Sequence, residues 1–212
     1  MRGRRRHAHA IVSPLTDIEL ASFPCAYSAA ENMLTRADVR EGETVVVTGA
    51  SGGVGSAAVQ PARRRGARVI AQVEAGKAAD ILRLGGDRAL IREEDPVAAL
   101  GEDSVDVVID AVGGPTFGSW LRVLRRGGRY AAAGAIAGPI VSLDLRTLYL
   151  KDLSLLGCTV LAPEVFPRLL DYIQRGEIKP LVAEVFDLAD IVAAQTAFLT
   201  KRHIGKIVLR VT

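Results

Sequence analysis

The chain has 212 residues, 49% apolar and 24% charged, which is room for one core or a core and a half in a globular protein. Its net charge of +3 comes partly from Arg2, Arg4, Arg5 and Arg6; elsewhere basic and acidic residues are interspersed and aromatics are only 5%, so no nucleic-acid stripe is expected. No apolar run approaches about 20 residues, which excludes a membrane-spanning helix, and Cys25 and Cys158 are too few and too far apart for a disulfide framework, as expected of a cytoplasmic protein.

The arginine cluster has no apolar stretch after it before Pro14 and Asp17, so it reads as a solvated tail and not as an export signal. Ala10-Ile11-Val12 reads as the end of a strand. Thr16 or Asp17 caps a short helix through Ile18, Leu20 and Ala21, which Pro24 ends, and Cys25 to Leu34 reads as a second helix. Then comes Glu43-Thr44-Val45-Val46-Val47-Thr48-Gly49-Ala50-Ser51-Gly52-Gly53-Val54-Gly55-Ser56-Ala57-Ala58-Val59-Gln60, around which the rest is arranged. A β-branched apolar run marks a strand buried on both faces. Glycines 49, 52 and 55 let the chain turn, admit a phosphate to the backbone and seat the following helix close to the strand. The free N–H groups at the start of that helix make an anion site. A strand before, a helix after and more βα units beyond point to dinucleotide binding.

The helix should run from about Gly53 to Arg65 and end at Gly66, with a kink or local opening at Pro61, which removes a backbone bond and crowds the Ala57 carbonyl. Strands follow at Ala67–Val73, Ala89–Ile91, Val105–Val112, Arg129–Ala133 and Leu153–Thr159. Helices are expected up to Leu84, over Pro96–Leu100, over Thr116–Leu124 and over Pro163–Arg175. The alternation predicts an α/β fold of the Rossmann type, a doubly wound parallel six-stranded sheet in the order 3-2-1-4-5-6, with its ligand crevice at the carboxyl ends of strands one and four. Leu181–Phe186, a helix over Ala189–Thr200 and Lys206–Val211 come after a complete sheet and read as another structural unit.

Four stretches together resemble the medium-chain dehydrogenase/reductase family of zinc alcohol dehydrogenases and quinone oxidoreductases. They are the glycine turn at 47–60, Val105–Asp110 with Gly113-Gly114, Leu153–Gly157, and Gly205–Leu209. The resemblance implies an NAD(P)H-dependent oxidoreductase that passes hydride between nicotinamide and a carbonyl, alcohol or activated alkene of a small-molecule substrate. It also implies that only the tail end and the C-terminal return of a GroES-like catalytic domain are present. The expected division is a tail and catalytic-domain remnant at 1–24, the cofactor-binding domain at 25–160, and a helix with the return segment at 161–212. Leu181–Phe186 and Lys206–Val211 would then be frayed or self-associated.

The resemblance puts Ser51, Gly52, Gly53, Val54 and Gly55 on the cofactor's phosphates, Gly134, Ala135 and Ile136 on the nicotinamide side, and Lys206 at the pyrophosphate. Val73 stands where NAD enzymes usually carry an acid, with Lys77 and Arg68 nearby, so NADP is expected, with NAD the alternative and Glu74 the residue that speaks for it. Cys25 and Leu34 match the helix that carries a zinc-ligand cysteine in the family's zinc members. A catalytic zinc needs three protein ligands and His7, His9 and His203 have no ligand spacing, so no bound metal is expected, and Cys25 is either an orphaned ligand or a small buried residue. Asp110 reads as a strand-end residue that organises the crevice. The family also suggests a homodimer through the Leu153–Thr159 edge strand.

Of three other classes, a short-chain reductase fails on spacing, a hydrolase is outweighed by the dinucleotide turn, and a module without chemistry is the main rival. A short-chain reductase needs a Tyr with Lys four residues later, and Tyr27, Tyr130, Tyr149 and Tyr172 are followed at that spacing by Glu31, Gly134, Leu153 and Gly176. Gly49-Ala50-Ser51-Gly52-Gly53 fits the Gly-x-Ser-x-Gly turn of a hydrolase, with Asp110 and His203 following in hydrolase order. A dinucleotide-binding module or redox sensor without chemistry of its own is the third.

Overall fold

The computed structural model describes residues 9–211; the expected arginine tail, with His7, lies outside the described residues. Chain order is α1 (Asp17–Ala21), α2 (Pro24–Arg36), β1 (Thr44–Val47), α3 (Gly53–Arg64), β2 (Arg68–Val73), α4 (Ala78–Leu84), β3 (Arg88–Ile91), α5 (Pro96–Leu100), β4 (Val105–Asp110), α6 (Phe117–Val123), β5 (Leu124–Ala132), α7 (Leu145–Leu150), β6 (Ser154–Gly157), α8 (Val165–Gln174), β7 (Val182–Asp187), α9 (Ile191–Leu199) and β8 (Lys206–Arg210).

β1 lies at the centre of a six-stranded sheet in the order β3-β2-β1-β4-β5-β6, all of it parallel. Parallel strands need crossovers, and these cover both faces with helices, which is why Val45, Val46 and Val47 are fully buried. One face packs on α2, α3 and α8 through Tyr27, Met33, Val59 and Leu169. The other packs on α6 through Phe117, Trp120 and Leu121. β7 and β8 form a separate two-stranded parallel sheet, joined by α9. The two segments expected to fray or associate with each other therefore pair with one another. Among the described residues no helix is long and apolar enough to cross a membrane.

Several boundaries differ from the sequence reading. Ala10–Val12 is not a strand. Pro24 does not end α1 but opens α2, at the first helical position, where its missing N–H is not needed. α1 itself carries the reciprocal Thr16–Glu19 capping box. α3 stays helical through Pro61 to Arg64, with no opening; Pro61 is buried in the helix interior, and the Arg65 N–H bonds its carbonyl at 3.2 Å. β5 starts at Leu124, five residues early, and absorbs Gly127-Gly128 as a register shift against β4. α7, capped by Asp144, was not expected, and Pro163 lies before α8 and not inside it.

Candidate dinucleotide site

The glycine turn leaves β1 and enters α3 with its backbone amides unspent. Gly52 caps the helix without a side-chain hydrogen bond, so the N–H groups of Gly53, Val54 and Gly55 remain for an outside acceptor. Gly55 is required by packing. A Cβ there would lie 2.2 Å from the Gly49 carbonyl oxygen and 2.8 Å from Ala50 Cα, so any side chain would push the helix off the strand. Ser51 is buried, whereas Gly52 is exposed and Gly53 and Val54 half-buried, so the backbone is presented to solvent just where the helix starts.

β8 comes back over this turn. The Gly205 N–H donates to the Ser51 carbonyl at 3.2 Å, and Lys206 lays its side chain across Gly53. A Cβ on Gly53 would sit 2.9 Å from Lys206 Cδ and 3.3 Å from its Nζ. The lysine is half-buried and its ammonium stands at the positive end of α3. The sequence reading had placed Lys206 near a phosphate; the structure brings it onto the glycine turn itself.

The other wall is built at the carboxyl ends of β4 and β5. Asp110 is fully buried and accepts from Thr48 Oγ1 at 2.5 Å, from the Tyr130 hydroxyl, and from the Val112 and Gly113 N–H groups at 2.7 and 3.0 Å. Burial, and then the Asp110 charge, push the Tyr130 hydroxyl pKa well above its ordinary value, so it is a fixed donor. The network ties β1, β4 and β5 together just below the crevice, the organising role expected of Asp110. Gly134 comes up against Ala111, whose carbonyl oxygen would lie 2.4 Å from a Cβ, and the Ala137 N–H bonds the Val112 carbonyl at 2.9 Å. Gly134, Ala135 and Ile136 are thus held as an exposed rim, with Ile136 77% exposed.

At the end of β2 the picture changes more. The Ala50 N–H bonds the Gln72 carbonyl at 2.9 Å, which sets the glycine turn beside the last turn of that strand. Val73 is fully buried and offers only its backbone. Lys77 is buried, pairs with Glu74 at 3.0 Å and donates to the Lys201 carbonyl, so it is already engaged. Arg68 is corrected: it opens β2, opposite Thr44, at the far end of the strand from the crevice, about five residues or 16 Å from Val73. Arg92, which the sequence reading missed, occupies that neighbourhood instead. Its N–H bonds the Val73 carbonyl at 3.0 Å and its guanidinium pairs with Glu74 at 3.0 Å. Its signal was its place one residue beyond β3. Hydrogen bonding from Lys77, with Arg92 adding to it, holds the Glu74 carboxyl below its usual value.

The described residues do not assemble a hydrolase triad. Both Asp110 oxygens are taken by Thr48, Tyr130 and backbone amides, and His203 Nδ1 is buried without a hydrogen-bond partner. Nor do they fit a catalytic zinc: Cys25 is exposed in the first turn of α2, and no group of three His, Cys, Asp or Glu side chains gathers among the described residues. A cavity of about 570 Å³ does exist between α4, β7 and α9, lined by Asp80, Glu184, Arg202 and His203 and by no residue of the glycine turn. The glycine turn instead offers backbone amides with no side-chain cap, which an outside acceptor could take.

An open parallel sheet with an uncapped glycine turn at its switch point defines a Rossmann-type dinucleotide-binding fold. Residues 53–175 match the family model described as zinc-binding dehydrogenase. Acryloyl-coenzyme A reductase of Metallosphaera sedula is 37% identical over 188 residues, 88% of this chain and 56% of that protein. Among solved structures, a Sinorhizobium meliloti protein provisionally described as an alcohol dehydrogenase superposes with a TM-score of 0.91 at 48% identity, over 96% of this chain and 58% of that one. The quinone oxidoreductase of Thermus thermophilus, solved also with NADPH, gives a TM-score of 0.83 at 35% identity, over 95% of this chain and 69% of that one. The chain belongs to the medium-chain dehydrogenase/reductase family. It spans little more than half the length of the acryloyl-coenzyme A reductase it matches.

Proposed function

We propose that this chain binds a nicotinamide dinucleotide, NADP(H) in preference to NAD(H), as the cofactor-binding half of an oxidoreductase. When bound, that cofactor supplies hydride exchange with a carbonyl, alcohol or activated alkene. The observation that carries the reading is the uncapped start of α3 with Lys206 laid across Gly53. There the Gly53, Val54 and Gly55 amides and the Lys206 ammonium would hold the pyrophosphate, and the Gly134–Ile136 rim would face the nicotinamide. The named reductases among its relatives, one of them solved with NADPH, support the reaction class and the choice of cofactor.

Because the chain covers 56% of a relative's length, we assign it the cofactor half of the reaction. Hydride transfer needs an acceptor held at near-contact distance with water excluded, and the open rim at Ile136 does not enclose one. The chain should therefore bind NADPH yet oxidise it slowly with quinones or aldehydes. Lys206→Ala should weaken NADPH and NADH alike, by roughly 10-fold, because both carry the same pyrophosphate. Fluorescence titration reads this, and an unchanged Kd for both cofactors overturns the assignment. Robust turnover by the 212-residue chain would show that the substrate site lies within it.

The same chain is proposed to form a homodimer through the β6 edge. Leu145, Tyr149, Leu150, Leu155 and Val160 around that edge are exposed and apolar. A monomeric mass at micromolar concentration, or a Leu155→Lys variant with unchanged assembly, counts against it. Two free cysteines, neither in a disulfide, fit a reducing compartment such as the cytoplasm.

A further inference from the structure

The return segment crosses the glycine turn as a strap, residues 201–206, pinned at both ends. At one end the Lys77 ammonium donates to the Lys201 carbonyl. At the other the Gly205 N–H donates to the Ser51 carbonyl at 3.2 Å and the Lys206 N–H to the Leu181 carbonyl at 3.0 Å, which leaves the Lys206 side chain across Gly53. Between the pins stands His203. Its ring packs on Phe198 of α9, with 5.6 Å between centroids, and the Lys201 ammonium sits 3.5 Å from the centroid of that same Phe198 ring. Its Nδ1 is buried with no hydrogen-bond partner among the described residues.

A neutral imidazole tolerates that placement, because one of its ring nitrogens carries no proton. The imidazolium carries a proton on both, so the closed strap would bury an N–H without an acceptor. The surrounding charges add to this. Lys77 faces the ring from the turn after β2, and Lys201, Arg202 and Lys206 belong to the strap itself. Against them stand Glu184 of β7 and Asp80 of α4, and Asp80 is already paired with Arg83 at 2.6 Å. Burial, then Lys201 and Lys77, accordingly hold the imidazole below its ordinary value, with Glu184 opposing them. We propose that His203 is an acid-released latch: neutral, it lets the strap lie closed over the glycine turn, and protonated, it opens the strap and takes Lys206 off Gly53, so that a dinucleotide is held less tightly in acid. What the strap delivers to a ligand rests on the cofactor reading above. A bound pyrophosphate would by itself favour the imidazolium, so weaker binding in acid is the signature of an opened strap and not of charge attraction.

The test takes two readouts on the full chain, with His203→Gln and His203→Lys beside the wild type and each fold checked by circular dichroism. Amide exchange without ligand reads the strap. From about pH 7.5 to about pH 5.5, protection over 205–210 relative to β1 should fall in the wild type, stay level in His203→Gln and be low throughout in His203→Lys. Calorimetric titration reads the delivery. NAD+ is the probe, because the 2′-phosphate of NADP+ titrates near pH ~6 and would overlap the histidine. NAD+ should bind the wild type roughly 5- to 10-fold more weakly at the lower pH, and His203→Gln with less than about a twofold change. Wild-type protection or affinity that does not respond to pH, tighter binding in acid, or the same response in His203→Gln overturns the proposal and leaves the cofactor reading intact. A wild-type chain that binds neither NAD+ nor NADP+ at about pH 7.5 overturns both.

Discussion

The two sheets are made of strands that look much alike in sequence, yet they reach different physical states. β4 is buried along its whole length, and β1 is buried but for its first residue. β7 and β8, with four Val and Ile residues between them, are half-buried or exposed, and Val208 alone is buried. α9 is apolar along most of its length, but Ala194 is its one buried residue, with Val192 and Leu199 more than 70% exposed. The large sheet has helices packed on both faces, whereas the small one meets chiefly α9 and the five-residue α1. Apolar content thus reports a strand's need for partners, and only topology says whether it has them.

The sharpest way to break this contrast is to attack the large sheet at Asp110. Asp110→Ala would strand the Thr48 and Tyr130 hydroxyls and two backbone amides, and should cost about 4 kcal/mol. Urea unfolding reads it. A loss below about 1 kcal/mol would mean that the crevice floor is no tighter than the small sheet.

A comparable insult to the small sheet should act locally. Gly205 has a φ of +90°, and a Cβ there would meet the Leu181 carbonyl oxygen at 2.6 Å. Gly205→Ala should detach β8 from β7 and pull Lys206 away from Gly53. Global stability should fall by only about 1–2 kcal/mol, the cost of the backbone strain. Amide exchange over 182–187 and 206–210 should rise well above that of β1. Equal protection in both sheets would show that they unfold as one unit.

His203 gives the smallest effect. Burial, then the Lys201 and Lys77 charges, hold its imidazole below the ordinary value of about 6.5. The sign follows from which state takes the proton first. Above pH ~6.5 neither state does and stability is flat; below it the unfolded chain protonates before the folded one, so stability falls with pH. His203→Gln should flatten the melting-temperature slope between about pH 7 and 5. An unchanged slope would place the acid sensitivity elsewhere.

Most of the large sheet was legible because its signals are local. A β-branched run, three glycines at spacing three and repeated glycine stops specify βα units, and handedness then restricts their order. The failures have a common cause. Arg68 and Arg92 are equally plausible neighbours of the ribose in sequence, and only strand direction separates them: Arg68 opens β2, whereas Arg92 follows β3. The engagement of Lys77 by Lys201 spans 124 residues, beyond the reach of any spacing argument. Helix propensity is a local rule, and the buried Pro61 does not open α3, which runs on to Arg64.

The central place of β1 has a further consequence, during synthesis. Among the described strands it comes first in chain order, and the strand that closes its second side, β4, lies 62 residues later. At roughly 5–20 residues per second, β1 waits about 3–12 s for β4, with Val45–Val47 bare along one edge while β2 and β3 add to the other. A strand at the buried centre of the finished sheet is therefore an exposed edge of the nascent one. Expression yield should then respond to translation speed and holdase chaperones more than to the stability of the folded state.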